Sequence, residues 1–115
     1  STYRVEPVKK FTSMPVEKII KRVMNAALKN ETYNELKCIK LCHSISTEIR
    51  NRQVKQFNFS RYKYICLVTI SEKRFSEVRF SSRCLWDPKV DNYAYYRFEN
   101  RDLVAFGAVY ACYYE

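Results

Sequence analysis

At 115 residues, 47% of them apolar, the chain has the size of one domain built around one hydrophobic core. One glycine and three prolines against ten tyrosines and seven phenylalanines exclude collagen-like, low-complexity and disordered classes. The net charge of +9 admits nucleic acid, an acidic protein or a membrane surface as a ligand, but twelve of the Lys and Arg, against five Asp and Glu, fall in residues 1–60, interleaved with apolar residues at helical spacing, so most of the excess reads as solvated helix faces.

"STYRVEP" alternates and then meets a proline, which predicts an extended arm over residues 1–12. In "SMPVEKIIKRVMNAAL", Val16, Ile19, Ile20, Val23, Ala27 and Leu28 recur on one helical face. The spacing predicts a helix from about 15 to 29, with Ser13 or Met14 as its cap and Pro15 in the first turn. After "NETYN", Cys38, Leu41, Cys42, Ile45 and Ile49 repeat the period and predict a second helix from about 34 to 56.

Beyond "FNFSR" the period changes from 3.6 to 2, the mark of a switch to sheet. Four strands are predicted, over 62–71, 77–87, 93–100 and 103–114, and their short connections make sequence neighbours antiparallel. The fold class is therefore α+β, with two amino-terminal helices (13–56) packed on a four-stranded antiparallel sheet (61–115). In the last strand Leu103, Ala105, Gly107, Val109 and Ala111 form a small-residue face suited to close helix packing, and Val104, Phe106, Ala108, Tyr110, Cys112 and Tyr114 a larger, aromatic one. Two helices cover one face of such a sheet. Because both faces of the first and last strands are apolar, the other face requires a second cover, and a second subunit is the simplest.

Catalytic chemistry finds little support. His43 is the only histidine and sits next to Cys42, and consecutive helical residues do not face each other as a nucleophile and its base must. Cys38 and Cys42 share a helical face, but the further ligands of a metal site would have to come from isolated positions, without the paired spacing of zinc sites. Asp87 and Asp91 flank Pro88 in "WDPKVDN", a strand-to-strand corner rather than a calcium loop, which needs its glycine and terminal glutamate. With one glycine there is no phosphate-cradling loop. The five cysteines, an odd number with no secretory signal pattern ahead of them, read as reduced thiols in a cytosolic setting, and the longest apolar stretch, 103–114, is short of the roughly 20 residues of a membrane helix. No enzyme, metal, cofactor or membrane segment is expected.

Several short motifs carry a family resemblance by their order and spacing: Tyr3 and Pro7 in the arm, Arg61-Tyr62-Lys63, Arg83-Cys84 with Trp86-Asp87, Asp91, Phe98-x-Asn100, and the aromatic ending "VYACYYE". Over nearly its whole length the sequence resembles the Tctex-type dynein light chains, "SRCLWD" and "VYACYYE" being closer to the Tctex-2-like branch of ciliary dyneins. The resemblance implies one light-chain domain over 1–115 that dimerises through strand pairing or exchange and catalyses nothing. It implies as partners a dynein intermediate chain and a homologous Tctex-type light chain, in a heterodimer or a homodimer, within the cytoplasm, the cytoskeleton or the axoneme of a cilium. One departure is that "SEKRFSE" stands where the family usually has glycines in the first hairpin connection.

The partner peptide is expected to add as a strand along Val78, Arg79, Phe80, Ser81, Ser82, Arg83 and Cys84, where alternation and two compact serines make a plausible edge. Phe80, Trp86, Tyr110 and Tyr114 are the dimer-interface candidates. The competing readings are a same-fold adaptor for a non-dynein partner and a basic nucleic-acid-binding domain, the latter disfavoured because the tyrosines fall on strand positions claimed by the core or an interface.

Overall fold

The computed structural model describes residues 11–57, 62–75 and 92–113. Helix α1 (Ser13–Leu28) and helix α2 (Glu35–Phe57) precede strands β1 (Tyr62–Glu72), β2 (Asn92–Glu99) and β3 (Leu103–Tyr113), with one turn of 3₁₀-helix, Lys73–Phe75, after β1. Most of the predicted arm, the strand predicted over 77–87 and its corner at Trp86 and Asp87 lie outside the described residues.

Both helices begin within two residues of the predicted positions. Helix α1 starts two residues before the predicted position, so that Thr12, with extended backbone angles of φ −127° and ψ 136°, is the N-cap and not Ser13 or Met14. The Thr12 side chain makes no capping bond. Pro15 therefore falls in the first turn, where its missing N–H leaves no helical partner unsatisfied. Helix α2 is capped by Asn34, whose Oδ1 accepts the Lys37 N–H at 2.9 Å, while its carbonyl accepts the Cys38 N–H at 2.8 Å.

Strand β3 is the centre of the described sheet, in the order β1-β3-β2, antiparallel to both neighbours. Its register sets Cys66 opposite Val109 and Val68 opposite Gly107 on one side, and Ala94 opposite Val109 and Phe98 opposite Ala105 on the other. Those residues, with Leu103 and Ala111, face the helices. Val16, Ile19, Ile20, Met24 and Leu28 of α1 and Ile45 and Ile49 of α2 are buried against them, and together they make the hydrophobic core. The small residues of β3 let α1 approach closely: a Cβ added at Gly107 would lie 2.6 Å from Met24 Sδ and 3.0 Å from Ile20 Cγ2. The expected pairing of two helices with one face of an antiparallel sheet is thus present, with three strands among the described residues.

One side chain ties the two layers together at their end. Asn100, in the turn between β2 and β3, donates from Nδ2 to the carbonyls of Leu28 (3.1 Å) and Glu31 (2.8 Å), while its Oδ1 accepts the N–H groups of Asp102 (2.8 Å) and Leu103 (2.9 Å). Asp102 adds to this by accepting the Tyr33 N–H on its carboxylate and the Lys73 N–H on its carbonyl. The end of α1, the loop to α2, the end of β1 and the β2–β3 turn are thereby fastened at one point. The sequence signal for it, an Asn just before a tight turn, reads as turn chemistry alone and does not reveal the helix-loop carbonyls it reaches.

Candidate functional site

Alternation along the strands assigns the remaining side chains to the face opposite the helices. Across the sheet the register forms the rows Ile65–Tyr110–Tyr93, Leu67–Ala108–Tyr95, Thr69–Phe106–Arg97 and Ser71–Val104–Glu99. Three of the four rows carry large apolar or aromatic side chains that the helices, on the other side, cannot reach. In this single chain Ile65 is 45% exposed, Leu67 39%, Tyr93 44% and Tyr95 46%.

The aromatic groups on this face lie against one another. Tyr93 and Tyr95 are stacked with ring centroids 6.0 Å apart, Tyr95 and Phe106 with centroids 5.4 Å apart, and Tyr110 tilts toward Tyr93 at 6.2 Å. Such a set presents apolar ring area together with the polar hydroxyls of its tyrosines. On the central strand Val104 and Ala108 are fully buried between their neighbours on β1 and β2. The polar end of the face is held by ions: Lys73 Nζ lies 2.7 Å and Arg97 Nη1 2.9 Å from the Glu99 carboxylate, and the hydrogen bonds from Lys73 and then Arg97 hold Glu99 below the usual carboxylate range. Next to it, Thr69 Oγ1 and Ser71 Oγ are buried with no hydrogen-bond partner among the described residues.

Of the predicted site residues, Tyr110 is on this face, half-buried between Ile65 and Tyr93. Phe80, Trp86, Tyr114 and the whole peptide-binding strand Val78, Arg79, Phe80, Ser81, Ser82, Arg83 and Cys84 lie outside the described residues. Ile65, Leu67, Tyr93, Tyr95 and Phe106 were not among the predicted interface residues; their signal was the period-2 alternation, which places each of them on the same side as Tyr110.

The described thiols show no arrangement suited to nucleophilic chemistry. Cys38 is buried, and Cys42 beside it is raised above the ordinary thiol range by burial and by its Cys38 neighbour, against a hydrogen bond with the Ile70 backbone. Burial pushes Cys66, on the helix-covered face, up to about 11, with Arg50 working weakly in the other direction. A raised thiol pKa is the opposite of what a nucleophile needs. His43 is exposed, and among the described residues no three His, Cys, Asp or Glu side chains stand close enough to hold a metal. No helix among them is long and apolar enough to cross a membrane.

The model of the Tctex-1 family matches residues 10–112, nearly the whole chain. The chain belongs to the Tctex-1 family. Its similarity to individual Tctex-type chains is spread over its full length: it is 38% identical to human dynein light chain Tctex-type 5 over 115 residues, and 37% identical to Xenopus laevis dynein light chain Tctex-type 5-A, also over 115 residues. Human dynein light chain Tctex-type protein 2 is 32% identical over 118 residues. These alignments take in all of the present chain but 64%, 64% and 58% of those three proteins, so the chain spans somewhat less than two thirds of their length. The resemblance read from the order of short motifs is thus borne out at the level of the family, and Asn100, one of the residues quoted for it, ties the helices to the sheet.

Proposed function

We propose that this chain is a non-catalytic light chain of a dynein motor complex, one Tctex-type domain over residues 1–115 that dimerises through its open sheet face and fastens to an intermediate chain. The observation that carries the reading is the apolar, aromatic face of Ile65, Leu67, Tyr93, Tyr95, Phe106 and Tyr110 in a chain related throughout its length to dynein light chains. Four large apolar side chains about two-fifths exposed on one side of one sheet are what a subunit interface requires. The partner across it is a second copy or a homologous Tctex-type chain. Phe80, Trp86 and Tyr114 complete the interface in this reading, and an extended intermediate-chain segment adds along residues 78–84. The complex works on microtubules in the cytoplasm or in the axoneme of a cilium.

Two measurements test this. Sedimentation at micromolar concentration is expected to give a dimer, alone or after a related light chain is added, and a monomer indifferent to every homologue overturns the interface. Hydrogen exchange is expected to show new protection of residues 78–84 when an intermediate-chain peptide binds; protection confined to other residues moves the groove elsewhere.

A further inference from the structure

Strand β2 is an edge of the described sheet, and one hydrogen bond fixes which of its backbone groups point outward. The register that sets Glu99 opposite Val104 continues to Asn100 opposite Leu103, where the Asn100 N–H donates to the Leu103 carbonyl at 3.1 Å. In an antiparallel pair such hydrogen-bonded positions alternate. Ala94, Tyr96 and Phe98 therefore turn their backbone groups to β3, and Tyr93, Tyr95, Arg97 and Glu99 turn theirs the other way, where no described strand lies. The first half of this edge, Asn92–Tyr96, carries neither a charge nor a proline, the devices with which an open edge avoids pairing with other chains.

The chain ahead of α1 arrives at this edge. Asn25 Oδ1 accepts the Tyr96 hydroxyl at 3.3 Å and the Leu28 carbonyl accepts Asn100 Nδ2, so α1 runs along β2 in the same direction. From Ser13 to Asn25 the helix covers about 18 Å, the length of some five strand residues, which places its start over the start of β2. Phe11, just before it, is buried in the core with Ala94 and Phe98. Residues 1–10 lie outside the described residues, and 4–11 equal in number the eight of β2. We propose that residues 4–10 add to β2 as an antiparallel strand, with Arg4 opposite Glu99, Glu6 opposite Arg97 and Val8 opposite Tyr95, and so close the sheet on that side. Three features select this register. It continues to Phe11 opposite Asn92, on the helix-covered side where Phe11 is found, and a slip by one residue would turn Phe11 to the other face. It sets Pro7 opposite Tyr96, whose backbone serves β3, so the N–H that proline lacks is one the ladder does not use. A slip by two residues puts like charges opposite each other, Arg4 on Arg97 or Glu6 on Glu99, whereas the proposed register opposes unlike ones. The closed edge involves neither the open face nor residues 78–84, so it stands apart from the function proposed above.

The test uses the whole chain. In the native protein the outward amides of Tyr95 and Arg97 are expected to exchange hydrogen within about tenfold of the rate of the inward amides of Tyr96 and Phe98, resolved residue by residue by NMR. Val8→Pro removes a donor that the ladder uses and should speed exchange at Tyr95 at least about tenfold, whereas Val5→Pro, where the N–H points away from β2, should leave it within about twofold. Val8→Cys with Tyr95→Cys, oxidised with glutathione disulfide, should give a bond within one chain by peptide mapping, since residues opposite each other across a ladder stand at disulfide distance. Val8→Cys with Arg97→Cys, two residues out of register, should give about tenfold less of it. Outward amides that exchange freely in the native protein, Val8→Pro without effect on Tyr95, equal bonding in the two cysteine pairs, or a bond that joins two chains and so gives the edge to a second copy, overturns the proposal.

Discussion

The two faces of β3 belong to the same eleven residues and differ in what they must meet. On one side Leu103, Ala105, Val109 and Ala111 are fully buried, and Gly107 lies against Met24 with no room for a methyl group. On the other, Phe106 and Tyr110 remain half-buried beside tyrosines that are nearly half exposed. The difference bears on where stability and association reside: the first face is fixed by a partner within the chain, so small changes of volume register in folding, whereas the second, in the function proposed above, meets a partner outside the chain and tolerates change until that partner is present.

Gly107→Val puts a branched side chain where even a Cβ would be 2.6 Å from Met24 Sδ. We expect a loss of about 3 kcal/mol in chemical denaturation, partly restored by Met24→Ala, because the methionine is what must give way. If Gly107→Val melts like the native protein, the tight approach of α1 to β3 is wrong and the contrast between the faces collapses. Asn100→Ala should cost about 2 kcal/mol, through four hydrogen bonds whose partly buried partners lose their contact, and the loss should appear equally in helix and sheet signals since the clamp joins both.

The covered face also carries a titration. Cys66 is held neutral by burial up to about pH 11, whereas in the unfolded chain it ionises near 9. Its contribution is therefore fully present below about pH 9 and is lost as pH rises toward 11, because the unfolded thiol gives up a proton that the folded one keeps. Relative to Cys66→Ala, which lacks this group, the native protein should lose about 2 kcal/mol over that window, measured as the difference between the two denaturation curves at each pH. The smallest effect on folding is expected on the open face: Tyr95→Thr should change the unfolding free energy of the isolated chain by less than about 1 kcal/mol while weakening self-association or pairing with a homologue about tenfold. A large loss of folding stability with unchanged association would reverse the roles assigned to the two faces.

Much of this was legible in the residues. The 3.6-residue spacing of Val16, Ile19, Ile20 and Val23 and of Cys38, Leu41, Ile45 and Ile49 located both helices to within about two residues, and alternation located β1, β2 and β3 to within one. The small face of β3 was visible too, since Ala, Gly and Ala at alternate positions have few other uses in a strand. The order of the sheet was not visible. Periodicity reports which side chains share a face and says nothing about which strand lies beside which, so the pairing of β1 with β3, across more than thirty residues, needed coordinates. The N-cap fell at Thr12 because Thr12, Ser13 and Pro15 lie so close together that the sequence offers several starts. Asn100 was quoted for its place in a motif, but four bonds to two different segments are a tertiary fact that no local pattern encodes.

The central place of β3 also sets an order of events during synthesis. Strands β1 and β2 both pair with β3 and neither pairs with the other, so the described sheet has no ladder until its last strand exists. A ribosome adding about 5–20 residues per second needs some seconds to pass from the end of β1 to the end of β3, and through that interval Ile65 and Leu67 of β1 lack their β3 neighbours Tyr110 and Ala108. Completion is then abrupt, because one strand closes both ladders and brings Gly107 under Met24 in the same step. A nascent chain halted before residue 103 should bind chaperones that recognise bare strand edges, and one released just past residue 113 should not.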